Sequence, residues 1–121
     1  MIDTPAKLGI EIIRASPYSD IISIETPGEP TGSGVPLNLT GWSAKSQIRE
    51  RPGSRSVLIC EFSITYDDME NGKLTRSLTS GTTGGIWHSR GWHDLILISP
   101  EGEPFLYWHG DVKIIPMTTG I

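Results

Sequence analysis

Two neighbouring segments of this chain alternate apolar and polar residues with a period of two, the pattern of a half-buried β-strand. In residues 42–50, the face expected to be buried carries Trp42, Ala44, Ser46 and Ile48. In residues 56–64, that face carries Leu58, Cys60, Phe62 and Ile64. Residues 51–55 lie between the two and contain Pro52 and Gly53, which favour a turn. The sequence therefore predicts an antiparallel hairpin with one buried and one solvated face.

The same alternation recurs along the rest of the chain, separated by segments rich in turn-forming residues. Strands are predicted at 7–14, 19–25, 73–78, 91–99 and 104–115. Residues 27–34 are predicted to form a Pro/Gly loop, 67–72 a turn, 79–85 an irregular segment and 100–103 a hairpin turn. Seven or eight short strands without a helix of useful length predict an all-β fold, either an antiparallel sandwich or a small barrel.

Length, charge and hydropathy narrow the classes of protein that the chain fits. Its 121 residues predict one domain, 1–121, with flexible or docking tails at about 1–6 and 116–121. The formal charge of −4 argues against nucleic acid as a partner. No segment approaches the roughly 20 apolar residues of a membrane span, and the N-terminus lacks a secretory signal pattern. We therefore expect no membrane partner and assembly in a cytoplasm.

Every histidine follows a tryptophan, in the pairs Trp87-His88, Trp92-His93 and Trp108-His109. With Asp94 and Asp111 nearby, these imidazoles are candidate zinc ligands. Adjacent strand residues point to opposite faces, however, so His93 and Asp94 should not converge. We expect His93 and His109 to be sheet-surface or rim residues, with no bound metal.

Other catalytic patterns are incomplete. The acidic segment 66–72 lacks the spaced carboxylates of a calcium loop, and the Gly-rich segment 81–85 lacks the lysine of a phosphate loop. The serine of "TGSGV" does not stand in a Gly-x-Ser-x-Gly elbow. We expect no enzymatic activity, no catalytic residue and no cofactor, although the spatial separation of carboxylates is open at this stage.

Large aromatic side chains are the expected packing and interface residues: Trp42, Trp87, Trp92, Tyr107 and Trp108. An exposed tryptophan would instead offer a stacking platform for sugars or bases. The cationic strip Lys45, Arg49 and Arg51 is interpreted as a solvated strand face.

The order of motifs resembles a family of small phage and prophage tail or baseplate proteins, and the immunoglobulin-like N-terminal domain of phage baseplate upper proteins. The resemblance covers about residues 37–115 and rests on Leu39-Thr40-Gly41-Trp42, Ala44 to Arg49, Gly72, Leu74, Asp94 to Leu97, Gly102 and Gly110 to Ile114. Two segments depart from the family pattern. "TSGTTGGIW" replaces the usual helical turn, and "PMTTGI" lacks the usual ending.

The resemblance implies an antiparallel immunoglobulin-like β-sandwich that acts as a structural virion protein by protein–protein adhesion. Its implied partners are other phage tail, baseplate or fibre proteins, together with further copies of itself in a homo-oligomer within the particle. It also implies that His109 faces solvent before Gly110. A carbohydrate- or receptor-binding module of a phage particle stays open as the alternative, and a metal-dependent hydrolase is the third class considered.

Overall fold

The computed structural model describes residues 6–25 and 35–118, which build two β-sheets packed face to face. The predicted loop 27–34 lies outside the described residues, as do most of the N-terminal tail and the end of the C-terminal tail. Within the described ranges, no helix combines the length and hydropathy needed to cross a membrane. The strands are β1 Ala6–Lys7, β2 Ile10–Ile13, β3 Tyr18–Ser23, β4 Ser43–Lys45, β5 Gln47–Arg49, β6 Leu58–Glu61, β7 Ser63–Asp68, β8 Lys73–Leu78, β9 Arg90–Ile98 and β10 Pro104–Ile115.

The larger sheet has seven strands and the smaller sheet has three. In the larger sheet, β1 and β2 pair in parallel with one edge of β10, and β9 pairs antiparallel with the other edge. The far edge of β9 pairs with both β4 and β5, and β6 pairs with β5. The smaller sheet has the order β3-β8-β7 and is antiparallel. Two facing sheets of short strands are the arrangement of a β-sandwich. The predicted all-β fold is confirmed.

All seven predicted strand segments contain strands, but three of them are divided. Residues 7–14 form β1 and β2, and residues 42–50 form β4 and β5. Residues 56–64 begin in the larger sheet as β6 and cross to the smaller sheet as β7. The crossing falls at Phe62, which is buried between the sheets. The predicted hairpin therefore exists, and its second arm also connects the two layers.

One predicted core position on this hairpin is wrong. Leu58 is 46% exposed, because a β-bulge on β6 shifts the register between Ile48 and Arg49. The extra residue, Ile59, packs against the core in its place. A one-residue shift moves every side chain before it to the opposite face, and nothing in the local sequence marks this bulge.

Residues 79–85, predicted to be irregular, contain a single helical turn, α1 Ser80–Gly84. The side chain of Thr79 caps it by accepting a hydrogen bond from the backbone N–H of Thr82 at 3.1 Å. Thr83 is buried and donates its hydroxyl to the carbonyl of Ser16 at 2.7 Å. Threonines therefore supply both the cap and the anchor of this helical turn.

A glycine of β10, Gly110, allows the N-terminal strands to approach that strand closely. A Cβ at Gly110 would stand 2.0 Å from the carbonyl oxygen of Leu8, which no side chain can tolerate. Leu8 lies between β1 and β2, and its backbone N–H donates to the carbonyl of His109 at 2.8 Å. Gly110 therefore permits the close approach that continues the larger sheet to its N-terminal edge.

The core consists of two apolar clusters between the sheets. The first contains Ile12, Ile48, Phe62, Leu78, Ile86, Val112 and Ile114. The second contains Ile22, Ile24, Leu39, Leu74, Leu95 and Leu97. On β8, Arg76 lies between Leu74 of the second cluster and Leu78 of the first, and it is fully buried. A polar group therefore occupies the middle of the sandwich.

Candidate functional site

Two of the three Trp-His repeats lie side by side on the paired strands β9 and β10. Trp92 and His109 lie on the outer face of the larger sheet, with ring centroids 5.6 Å apart. His93 and Trp108 lie on the inner face and meet edge to face at 4.8 Å. Strand alternation places one tryptophan and one histidine on each face of this pair.

The prediction that His93 is a surface or rim residue is wrong. His93 has no exposed area, and its neighbours two and four positions on, Leu95 and Leu97, are also fully buried. Its Nδ1 lies 3.1 Å from Nη1 of Arg76, and its Nε2 lies 2.8 Å from the carbonyl oxygen of Leu8. Because arginine has only donors, Nδ1 must accept, so the proton is on Nε2 and is donated to Leu8. His93 thereby ties the N-terminal strand to the core.

Arg76 is the centre of a buried network that joins both sheets. Its guanidinium donates to the Asp20 carboxylate through Nε at 3.1 Å and Nη2 at 2.7 Å, which is a bidentate ion pair. Its Nη1 also donates to Oγ of Ser46 at 2.9 Å. Phe62 and Trp108 lie on its faces, with ring centroids 4.3 and 4.2 Å from Cζ. This cation–π arrangement compensates a charge that has no access to water.

Burial and neighbouring charge shift the pKa of two groups in this network. Burial, opposed by the bond to Leu8 and reinforced by the Arg76 charge, lowers the pKa of His93 to about 4. Burial and the Asp20 carboxylate raise the pKa of Tyr18, whose hydroxyl donates to that carboxylate at 2.5 Å. His93 is therefore neutral at pH 7. Arg76 and His93 have no solvent-exposed area in the folded sandwich, and their hydrogen bonds join the two sheets and the N-terminal strands.

The candidate zinc ligands do not all come together. His93 faces inward, whereas Asp94, His109 and Asp111 share the outer face, where His109 stands opposite Asp94. His88 lies before β9 and bonds through Nε2 to Glu50 at 2.8 Å. In the described part of the chain, no group of three or more His, Cys, Asp or Glu side chains is placed to hold a metal ion.

Three of the five predicted packing residues contact the second apolar cluster. These are Trp42, Tyr107 and Trp108. The hydroxyl of Tyr107 donates to the Ser23 carbonyl at 3.3 Å and so links the sheets. Trp92 is partly exposed on the outer sheet face, and Trp87 is 77% exposed. The five aromatic residues thus divide into core and surface groups.

Trp87 is held in place although its ring projects into solvent. The guanidinium of Arg14 donates to three consecutive carbonyls, those of Ile86 at 2.6 Å, Trp87 at 3.5 Å and His88 at 3.1 Å. The imidazole of His88 stacks on the indole, with centroids 3.8 Å apart and planes at 22°. Glu50 fixes that imidazole in turn. One face of the indole is therefore supported, and the ring is presented by a rigid backbone.

Other apolar side chains are exposed at the same end of the sandwich. Ile13 pairs with Ile115 at the ends of β2 and β10, and Met117 follows two residues later. Both Ile13 and Met117 are exposed. We call Ile13, Trp87 and Met117 the Trp87 patch. Among the described residues, Trp87 has the largest exposed fraction of the large apolar side chains, which makes it a candidate contact residue.

The sequence analysis did not single out the two arginines that organise these sites. A signal for Arg76 was present, because Leu74, Arg76 and Leu78 share one face of β8 by alternation. The role of Arg14 had no sequence signal, because its carbonyl partners are more than 70 residues away.

Comparisons with known proteins add no family assignment to this geometry. No protein-family model matches the chain, and no curated protein matches it either.

Proposed function

We propose that the chain is a non-enzymatic structural protein of a phage tail, baseplate or fibre-attachment assembly, and that it acts by protein–protein adhesion. Two things support the proposal. The order of motifs over residues 37–115 resembles small tail and baseplate proteins, and the sandwich presents a rigid apolar contact site at one end. Its partners would be other tail, baseplate or fibre proteins and further copies of the chain in the particle.

The presentation of Trp87 is the observation that carries the proposal. A tryptophan can bury about 150–250 Å² in a contact, worth on the order of 4 kcal/mol at roughly 25 cal/mol per Å². Binding also costs entropy when side chains and loops become ordered. Here Arg14 and His88 have already fixed the backbone and the ring, so that cost is reduced. A supported, protruding tryptophan has the properties of an interface anchor.

The test is the incorporation of the chain into phage particles. In a phage that carries the gene for this chain, mass spectrometry of purified particles should detect the protein at a fixed copy number. The variant Trp87→Ala should lower incorporation about tenfold or more, the effect of losing an interface anchor.

Ile21→Ala is the matched control, because Ile21 is 75% exposed but lies on the smaller sheet. It should incorporate normally, and circular dichroism should show that both variants fold. Absence of the unmodified chain from mature particles would refute the virion role. Equal incorporation of the two variants would refute the role of the Trp87 patch.

A further inference from the structure

A cleft opens on the outer face of the larger sheet, and no residue of the Trp87 patch lines it. It has a volume of about 160 Å³ and lies between β4–β5, β9 and residues 53–54 of the hairpin turn. The antiparallel register of β4 and β5 against β9 determines which side chains line the cleft, because Arg49 stands opposite Trp92 and Lys45 stands opposite Ile96. The site is therefore built on regular strands, which hold side chains more firmly than loops do.

Positive charge is concentrated in this cleft although the chain as a whole carries −4. Lys45, Arg49 and Arg51 all line it. The Arg49 guanidinium is already oriented, because it donates to the Ser56 carbonyl at 2.7 Å and to Gln47 Oε1 at 2.9 Å. Guanidinium groups have five donors, so these two bonds leave others for a ligand. Such groups suit a carboxylate or another oxyanion.

Two further groups in the cleft select against a simple anion. Trp92 contributes a partly exposed indole, an aromatic surface that suits the apolar face of a ring. Asp94 accepts a hydrogen bond from the backbone N–H of Gln47 at 3.3 Å, and its carboxylate also lines the cleft. The Asp94 carboxylate can accept hydrogen bonds from the hydroxyl groups of a ligand.

We infer that this cleft binds one acidic sugar ring, a hexuronate or a similar carboxylate-bearing pyranose. Its carboxylate would bind Arg49 and Arg51, its hydroxyls would donate to Asp94, and its C–H face would lie on Trp92. A phosphate would use the cations but not the indole. An acidic peptide needs a longer groove than a cleft of about 160 Å³ supplies. The inference does not depend on the phage assignment, because it concerns a different surface and a free ligand.

The experiment is a titration of the purified chain, followed by two-dimensional NMR of the backbone and indole N–H groups. D-glucuronate is the test ligand, D-glucose lacks the carboxylate, and acetate lacks the ring. A single exposed sugar ring should bind with a Kd on the order of 1 mM, and each comparison ligand at least about tenfold more weakly. Shifts should centre on Trp92 and on residues 45–54.

Variants separate a real site from general charge attraction. Trp92→Ala should abolish saturable binding of glucuronate, and Arg51→Gln should weaken it about fivefold, as expected for one partly solvated contact. Arg55→Gln is the matched control, because Arg55 is an exposed cation of the same turn that does not line the cleft. It should leave the Kd unchanged.

Three results would overturn the inference. The first is no saturation with glucuronate at about fifty times the expected Kd. The second is equal binding of glucuronate and acetate, which would show an anion site without ring recognition. The third is tighter binding of a short Glu-rich peptide than of glucuronate, which would assign the cleft to acidic protein segments.

Discussion

Removing the Arg76 charge should be among the most destabilising substitutions in the chain. Arg76→Met keeps much of the side-chain volume but leaves the Asp20 carboxylate without its two guanidinium bonds and His93 Nδ1 without a donor. Breaking a buried ion pair from one side costs about 3–5 kcal/mol. Because the Asp20 side chain is 19% exposed, water can solvate part of the orphaned charge, and we expect about 3 kcal/mol.

This cost can be measured because the folded state should survive it. At about 0.05–0.15 kcal/mol per residue, a domain of this length has a stability on the order of 6–18 kcal/mol. In urea, with a slope near 1.5 kcal/mol per molar, Arg76→Met should lower the unfolding midpoint by about 2 M. Unfolding followed by circular dichroism gives the midpoint without relying on Trp108, whose fluorescence the substitution will change.

A double-mutant cycle tests the reason for the loss. Asp20→Asn alone leaves the Arg76 cation buried without a counter-charge, whereas the pair Asp20→Asn with Arg76→Met leaves no charge at all. The double variant should therefore be more stable than the sum of the single losses predicts, by about 1–3 kcal/mol. Arg90→Met, which removes an exposed cation, should cost less than about 0.5 kcal/mol. Additive losses in the cycle, or equal losses for Arg76→Met and Arg90→Met, would refute the role of the ion pair.

Two further predictions follow from the inner face of the larger sheet. The pKa of His93 falls from 6.5 to about 4 on folding, so the unfolded chain binds the proton more tightly. The free energy of unfolding that neutral His93 contributes is fully present above pH 6.5 and is lost as the pH falls toward 4, by about 3 kcal/mol. In His93→Gln, the urea midpoints measured against pH should no longer show this loss. A profile that keeps its slope in His93→Gln would contradict this. Gly110→Ala should displace Leu8 and destabilise the fold by about 1–3 kcal/mol, with faster amide exchange in β2. Gly81→Ala in α1, where a Cβ would meet nothing closer than 3.8 Å, should instead stabilise the fold by up to about 1 kcal/mol. Unchanged amide exchange of β2 in Gly110→Ala would show that Gly110 does not hold this strand in place.

Alternation predicted the strands well because each strand has a local signal, and it failed where a single residue interrupts the period. Leu58 was assigned to the core, but the bulge on β6 exposes it and turns Ile59 inward. The same kind of interruption between Leu106 and Trp108 on β10 lets Trp108 face the core while His109 faces out. A bulge depends on the register with the partner strand, so the sequence of one strand does not reveal it.

The buried network was predictable in part. Alternation from Leu95 and Leu97 places His93 on the core face, yet the usual surface preference of a polar ring favoured a rim position. The partner of Arg76 could not be predicted, because Asp20 is 56 residues away and the pair forms only when the two strands align in the smaller sheet. The Trp87 patch and the outer cleft are likewise products of tertiary arrangement.

The parallel pairing of the first and last strands determines how the domain would respond to tension. Ala6 stands beside Trp108 and Ile13 beside Ile115, so the chain enters at one end of this strand pair and leaves at the other. A pull between those two points would load the interstrand hydrogen bonds in shear, all at the same time, instead of peeling them apart in succession. The strand pair would therefore resist stretching more strongly than a pair whose hydrogen bonds break one after another.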